Sequence, residues 1–314
     1  MDVLVLEGRG RKLIYPRGMW QIRRRLRERP PDLVHAHFGY CGIVARTQRA
    51  VPVVVTFHGD DVLGTINARG AVTVGSRIAA AASRSIARRI DAAIVQTREM
   101  ATRLGRGDAD VIPHEVDLDR FRPLDRAHAR ELLGLDPSRP YVLFAASPGI
   151  AVKRYPLARD AVAELRKHMP DVELVVVHKE PQDRLCLYMN ACDVLAFSSF
   201  QEGSPNIVKQ ALACNMPIVS TDVGDVRELV DGTRGCTIAP PDAVGFAAAL
   251  EAQLHAGRRS DGRARVAHLA CDHVAEQIVA VYGRVLSPKG AAPASPAATP
   301  HEARDTVHTS SVER

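Results

Sequence analysis

Ser198-Ser-Phe-Gln-Glu-Gly-Ser-Pro-Asn-Ile-Val-Lys-Gln-Ala-Leu-Ala-Cys-Asn-Met-Pro-Ile-Val-Ser220 decides how the rest of the chain is read. The apolar run Val194 to Phe197 before it has the length and composition of a buried strand, and Ile218 to Ser220 begins another. Between them Gly203 and Ser204 make a turn, and Pro205 suits the first turn of a helix. Ile207, Val208, Ala211 and Leu212 then recur at helical spacing. A helix therefore starts at the carboxyl end of a strand. The backbone N–H groups of Asn206 to Val208 and the positive end of the helix dipole converge there, which is a place for a phosphate.

The same alternation extends in both directions. β-Branched runs at Val3 to Leu6, Asp32 to Ala36, Val53 to Phe57, Ala92 to Gln96 and Asp110 to Ile112 form one predicted set of strands. Tyr141 to Ala145, Val172 to Val177, Val194 to Phe197, Ile218 to Ser220 and Cys236 to Ile238 form a second. Amphipathic helical stretches separate them, as parallel sheets with crossover helices require. The chain of 314 residues fits two such α/β domains. The proline-bounded, aperiodic stretch 113–123 is the expected hinge. The expected division is 1–123, 124–266, a helix over 267–286 that crosses back, and a disordered tail over 287–314, rich in Pro, Ala and Ser.

Composition narrows the function. No apolar run approaches the roughly 20 residues of a membrane span, and the first residues lack the basic flank and apolar core of a signal peptide, so a cytoplasmic chain is expected. The six cysteines, at 41, 186, 192, 214, 236 and 271, form no Cys-x-x-Cys pair. They are expected to be small buried apolar residues rather than zinc ligands or disulfides. The net charge of +6 gathers near the front, where Arg9, Arg11, Lys12, Arg17, Arg23, Arg24, Arg25, Arg27 and Arg29 face one acid, Glu28. That is either a solvated arginine-rich helix face or a peripheral contact for an anionic membrane. With 4% aromatic residues and no stacking series among the basic ones, nucleic acid is not an expected partner.

Two other segments carry chemistry. In Val53-Val-Val-Thr-Phe-His-Gly-Asp-Asp-Val62 a strand delivers His58 onto a turn at its end; the histidine is either a packing residue or part of a site. Tyr141-Val-Leu-Phe-Ala-Ala-Ser-Pro-Gly-Ile-Ala-Val-Lys-Arg-Tyr-Pro-Leu-Ala158 opens the second domain and places Lys153 and Arg154 on a loop after a strand. Asp117 and Asp119 in the hinge form a Asp-x-Asp pair, compatible with a metal but better suited to capping.

Together these segments resemble family 4 of the glycosyltransferases, whose donor site carries Glu-Gly-x-Pro-x-x-x-x-Glu-Ala-x-Ala-x-Gly-x-Pro-Val-Val-x-Thr-x-x-Gly-Gly. The resemblance runs from about Val3 to Leu286 and is weakest at the front, where the chain begins at the family's second or third strand. It implies the GT-B fold: two Rossmann-like domains with parallel sheets facing a central cleft, the first lacking its first strand. It implies transfer of a sugar from a nucleotide-sugar donor to an acceptor hydroxyl, with retention at C1. The acceptor is a saccharide, a lipid or a small molecule, and no cofactor is required.

Carried over, Glu202 lies by the donor sugar, and Gln210 stands where a second Glu would hold the ribose. Gly203, Ser204, Asn206, Ile207 and Val208 meet the diphosphate. His58 matches a His-Gly-x-Asp element lining the cleft, and Lys153 matches the Lys that neutralises the leaving diphosphate. The partner Arg is absent at the spacing where Pro148 or Ile150 stands, leaving Arg154 as the nearby substitute. His114 and Glu115 replace an Asn-Gly, where a glycine would serve a positive φ or a close approach. These departures leave open a second expectation, a catalytically impaired relative that binds a sugar nucleotide or a partner protein. A sugar-nucleotide epimerase or a phosphorylase on the same fold is a third.

Overall fold

The structure, a computed structural model, describes residues 2–6, 14–67 and 71–287. Residues 288–314 of the expected tail, and Arg9, Arg11 and Lys12 of the basic front, lie outside the described residues. Two parallel sheets form the frame. The first has the order β1 (Val34–His37), β2 (Val53–Thr56), β3 (Ala92–Val95), β4 (Asp110–Val111). The second contains β5 (Tyr141–Phe144), β6 (Glu173–Val176), β7 (Val194–Phe197), β8 (Ile218–Ser220) and β9 (Cys236–Ile238), in the order β6-β5-β7-β8-β9.

Strands β2, β3, β5 and β7 are buried at every residue. Helices cover both faces, which is why these strands read as continuous rather than alternating apolar runs. Side chains alternate along β5, so Tyr141 and Leu143 join one core of the second domain while Val142 and Phe144 join the other. The order of the second sheet reverses at β5, which has β6 on one side and β7 on the other. A crevice opens outside the carboxyl ends of strands at such a switch point.

The strand expected over Val3 to Leu6 is not formed. Leu4 and Leu6 pack into the first domain's core while Val3 and Val5 face solvent. The Leu6 side chain lies over Gly18 of the helix Ile14–Glu28, and among the described residues no strand pairs with this segment. The alternation records burial of one side without a ladder. The cysteine expectation also needs correction: Cys186, Cys192 and Cys214 are buried, but Cys271 is exposed.

Two connections join the domains. Arg263 donates to the carbonyls of Leu118 (2.8 Å), Phe121 (2.7 Å) and Ala213 (2.9 Å), pinning the 113–123 stretch to the second domain. Asp117 accepts from the Arg120 amide at 2.9 Å, the capping role. The helix Cys271–Leu286 returns to the first sheet, burying Val274 and Val281 against Val54, Ala92, Ile94 and Ile112. Its Tyr282 hydroxyl lies 2.6 Å from His35 Nδ1 on β1. Among the described residues no helix is long and apolar enough to cross a membrane.

Candidate functional site

A pocket of about 260 Å³ lies at the switch point, between the residues following β5 and those following β7. Lys153, Glu202, Ser204, Asn206 and Ile207 line it, so two segments singled out in the sequence, 141–158 and 198–220, meet in one place. Lys153 Nζ stands 2.7 Å from Glu202 Oε1, with side chains 27% and 15% exposed. That partial burial keeps the pair from being a fully solvent-screened surface contact. The helix Asn206–Ala213 starts at the pocket wall, and first-turn amides have no carbonyl of their own helix to bond. The Val208 amide is the exception to the expected free set, because it donates to the Pro205 carbonyl at 3.2 Å. The Val208 side chain is fully buried in the core. Asn206 and Ile207 remain as the donors at the helix start.

The donor loop is held by residues that the sequence reading passed over. The Asp225 amide donates to the Gly203 carbonyl at 3.1 Å, and the Ser204 hydroxyl lies 2.5 Å from Asp225 Oδ2. Asp225 Oδ1 is buried without a partner, and burial raises this carboxyl's pKa against the pull of Ser204 and Lys209. Gly224 has φ +55°, and a Cβ there would stand 2.1 Å from the Gly203 oxygen. The signal was present in the sequence, since Gly224 falls where the family motif ends in Gly-Gly.

Lys209 is fully buried and donates to the His114 carbonyl at 3.0 Å. Burial pushes its pKa down to about 8, opposed by the carboxylates of Asp225 and Glu115. It therefore ties the donor helix to the hinge. Its position on a helix turn otherwise marked by apolar neighbours was the only sequence clue.

His58 caps the short helix Gly59–Val62 and sits in a row of imidazoles. Its Nε2 is 3.3 Å from His37 Nδ1, and its Nδ1 is 3.1 Å from His114 Nε2. His35 stacks on His37 with ring centroids 4.7 Å apart. Burial lowers the pKa of all four rings, His35 and His58 to about 4, and neighbouring histidines add to the shift at His58. Asp61 accepts from the amides of His58 and Gly39, each at 2.7 Å, and burial still raises its carboxyl to about 6. Burial and the neighbouring rings keep His58 neutral, and Asp61 fixes its backbone.

The two halves meet here. A Cβ on Gly59 would lie 3.6 Å from the Gly203 amide, and Gln201 Nε2 donates to the Gly64 carbonyl at 3.0 Å. Three other candidates are placed apart from the pocket. Arg154, in the left-handed region at φ +50°, donates to the Pro241 carbonyl at 2.6 Å, with its guanidinium over the Phe200 ring. Gln210 donates to Gln182 Oε1 at 3.1 Å. Glu115, standing where the family has a glycine, has no positive φ, so the backbone here does not call for one.

The family profile described as Glycosyltransferase Family 4 matches residues 3–120, and that described as Glycosyl transferases group 1 matches residues 156–256. The D-inositol 3-phosphate glycosyltransferase of Nocardia farcinica is 30% identical over 318 aligned positions, covering 84% of this chain and 69% of the relative. Its counterpart in Mycolicibacterium gilvum is 27% identical over 300 positions, covering 82% of this chain and 66% of the relative. Among curated relatives of this kind the chain spans as little as 60% of the partner's length.

Sucrose-phosphate synthase from Thermosynechococcus elongatus superposes with a TM-score of 0.73 at 19% identity, over 87% of this chain and 79% of that one. Anabaena Alr3699/HepE in complex with UDP gives a TM-score of 0.67 at 17% identity, over 85% and 82%. At such identities the likeness is one of fold, the two Rossmann-like domains of GT-B.

Proposed function

Because this chain belongs to the group 1, family 4 glycosyltransferases, we propose that it moves a sugar from a nucleotide-sugar donor to an acceptor hydroxyl. The observation that carries the proposal is the Lys153–Glu202 pair, 2.7 Å apart in a pocket headed by the helix start at Asn206. When the bond from C1 to the leaving phosphate breaks, negative charge collects on that phosphate. The Lys153 ammonium and the amides of Asn206 and Ile207 stand where they stabilise it. Gly203 and Ser204 shape the loop that admits the diphosphate, and Glu202 orients both Lys153 and the donor sugar. His58, neutral at physiological pH, faces the reacting side as a hydrogen-bonding group rather than a cation.

This assignment asks for no cofactor; the donor is a substrate, and retention at C1 is the expectation that family membership carries. The acceptor, a saccharide, lipid or small molecule, enters from the side of the first sheet. The helix Ile14–Glu28, with Arg17, Arg23, Arg24, Arg25 and Arg27 exposed around an exposed Trp20, supports a peripheral stance on the cytoplasmic face of an anionic membrane.

Gln210 on Gln182 and Arg154 on Pro241 favour a second reading, a relative that binds a sugar nucleotide without turning it over. Calorimetric titration with UDP, the ligand of the Anabaena neighbour, and with GDP and ADP tests the first step. One nucleotide should bind, and Lys153→Ala and Glu202→Ala should each weaken it. Failure of all three to bind would remove the donor-site assignment. Nucleotide release from the matching nucleotide sugar then separates an enzyme from a binding-only relative.

A further inference from the structure

Asp225, whose amide holds the Gly203 carbonyl, packs against the donor loop. It precedes the helix Val226–Val230 and is 9% exposed, and its two carboxyl oxygens are unequally served. Oδ2 takes the Ser204 hydroxyl at 2.5 Å, while Oδ1 is buried without a hydrogen-bond partner. An ionised carboxyl has no hydrogen to give, so Ser204 is the donor in this contact, and the short length is that of a charge-assisted bond. Ser204 also lines the donor pocket, so its single hydroxyl hydrogen is held by Asp225 and withheld from a ligand. A buried carboxylate with one oxygen unserved is costly to keep charged; as a carboxylic acid the same group becomes a donor itself.

Few free charges face Asp225. Lys209, on the helix Asn206–Ala213, pulls its pKa down, and Glu228 on its own helix pushes it up, beside the larger effect of burial, which raises it. Arg265 is spent on the Glu228 carbonyl, Arg227 on Asp222 and Lys153 on Glu202. Cys236, on the neighbouring β9, is a thiol that burial keeps neutral. A diphosphate seated at the helix start would bring further negative charge to the other side of Ser204, and like charge favours the neutral acid. We propose that Asp225 is a positioning residue for the donor: it takes a proton from solvent as the diphosphate binds, donates it to Ser204 Oγ, and so releases the Ser204 hydroxyl hydrogen to a phosphate oxygen. This rests on the donor-site reading above. Since the carboxyl's pKa is then higher in the complex than in the free chain, the complex holds more protons, and affinity falls as pH rises from the free-chain value through that of the complex.

The test is calorimetric titration of the full chain between about pH 5 and 7.5, above the ordinary carboxylate range and below the value of about 8 at Lys209. The probes are UDP-glucose, GDP-mannose and ADP-glucose, whose doubly esterified diphosphates stay ionised throughout. Repeating each titration in buffers of different ionisation enthalpy counts the protons taken up. We expect the probe that binds to weaken by up to about tenfold per pH unit as pH rises, with uptake approaching one proton per nucleotide. Asp225→Asn, whose amide donates to Ser204 without titrating, should flatten the pH profile and remove that uptake. The histidines and Lys209 are common to parent and variant, so the difference between them belongs to Asp225. Ser204→Ala should weaken binding about tenfold at the acid end, and thermal midpoints report folding of both variants. Absence of proton uptake by the parent, the same pH profile in parent and Asp225→Asn, or unchanged acid-end affinity in Ser204→Ala would each overturn the proposal while leaving the donor site in place. Should Asp225→Asn not fold, the parent's uptake and Ser204→Ala decide it. Failure of every probe to bind would instead remove the donor-site reading, and this proposal with it.

Discussion

Replacing Gly224 by alanine tests whether the donor loop is built as described. The residue sits at φ +55°, where an L side chain costs about 1–2 kcal/mol. Its new Cβ would stand 2.1 Å from the Gly203 oxygen, against the 3.0 Å that real Cβ contacts respect. Backbone must therefore yield by about 1 Å, and what yields is the loop bearing Glu202, Gly203 and Ser204, because the Gly203 carbonyl also holds the Asp225 amide. We expect a loss of about 2–4 kcal/mol, consistent with strain at a special φ combined with a disturbed hydrogen bond. At about 2–4 °C per kcal/mol, the thermal midpoint should fall by roughly 4–16 °C. A displacement of this size in a ligand-orienting loop commonly costs about a hundredfold in catalysis, so nucleotide affinity should also fall by at least about tenfold. Thermal unfolding and calorimetric titration with the bound nucleotide measure the two effects. A variant with unchanged midpoint and unchanged affinity would refute the argument, since it would mean that the Gly203 carbonyl is free to move without consequence.

Other expectations follow from single side chains. Arg154→Ala should leave nucleotide affinity within about threefold of the parent, because its guanidinium is committed to Pro241 and Phe200; a larger loss by calorimetry would show that it swings into the pocket. Lys209, with a pKa pushed down to about 8 from 10.5, binds its proton less well folded than unfolded. Stability should therefore rise as pH goes from 8 to 10.5, by on the order of 2–3 kcal/mol from this group. Lys209→Met should flatten that rise in denaturation midpoints, and identical pH slopes in parent and variant would contradict the assignment. All four histidines have lowered pKa values in the fold, so below about pH 6.5 the unfolded chain binds more protons and stability falls as pH falls; for His35 and His58 the window reaches down to about 4. Asp61, raised to about 6, acts with the opposite sign there, but it is one group against four. Acid titration of the thermal midpoint should show the net loss, and His58→Gln should reduce it.

Much of the frame could be read directly from the residues because parallel strands buried on both faces leave uninterrupted runs of Val, Ile, Leu and Ala. Nine of ten expected strands form, with ends shifted by a residue or two. Val3 to Leu6 failed because alternation reports which side chains are covered, whereas a strand also needs a backbone neighbour, and Leu6 found a helix instead. The placing of Glu202 beside Lys153 was implied by a motif, but their contact across 49 residues was not, since no local pattern encodes the order of strands in a sheet.

The sequence by itself determined the two α/β halves, the turn and helix start at Gly203 to Asn206, and the histidine delivered by β2. Those depend on local spacing and on burial of the chain's own apolar runs. Only the tertiary structure decided that β5 and β7 flank the switch point, that Gly224 and Asp225 clamp the donor loop, and that Arg154 turns toward Pro241. It also decided that Lys209 is buried under the hinge and that His37, His58 and His114 stand in one row. Those relations join residues tens of positions apart, and their energies come from exclusion of water and close approach of backbones, which exist only once the two sheets have come together.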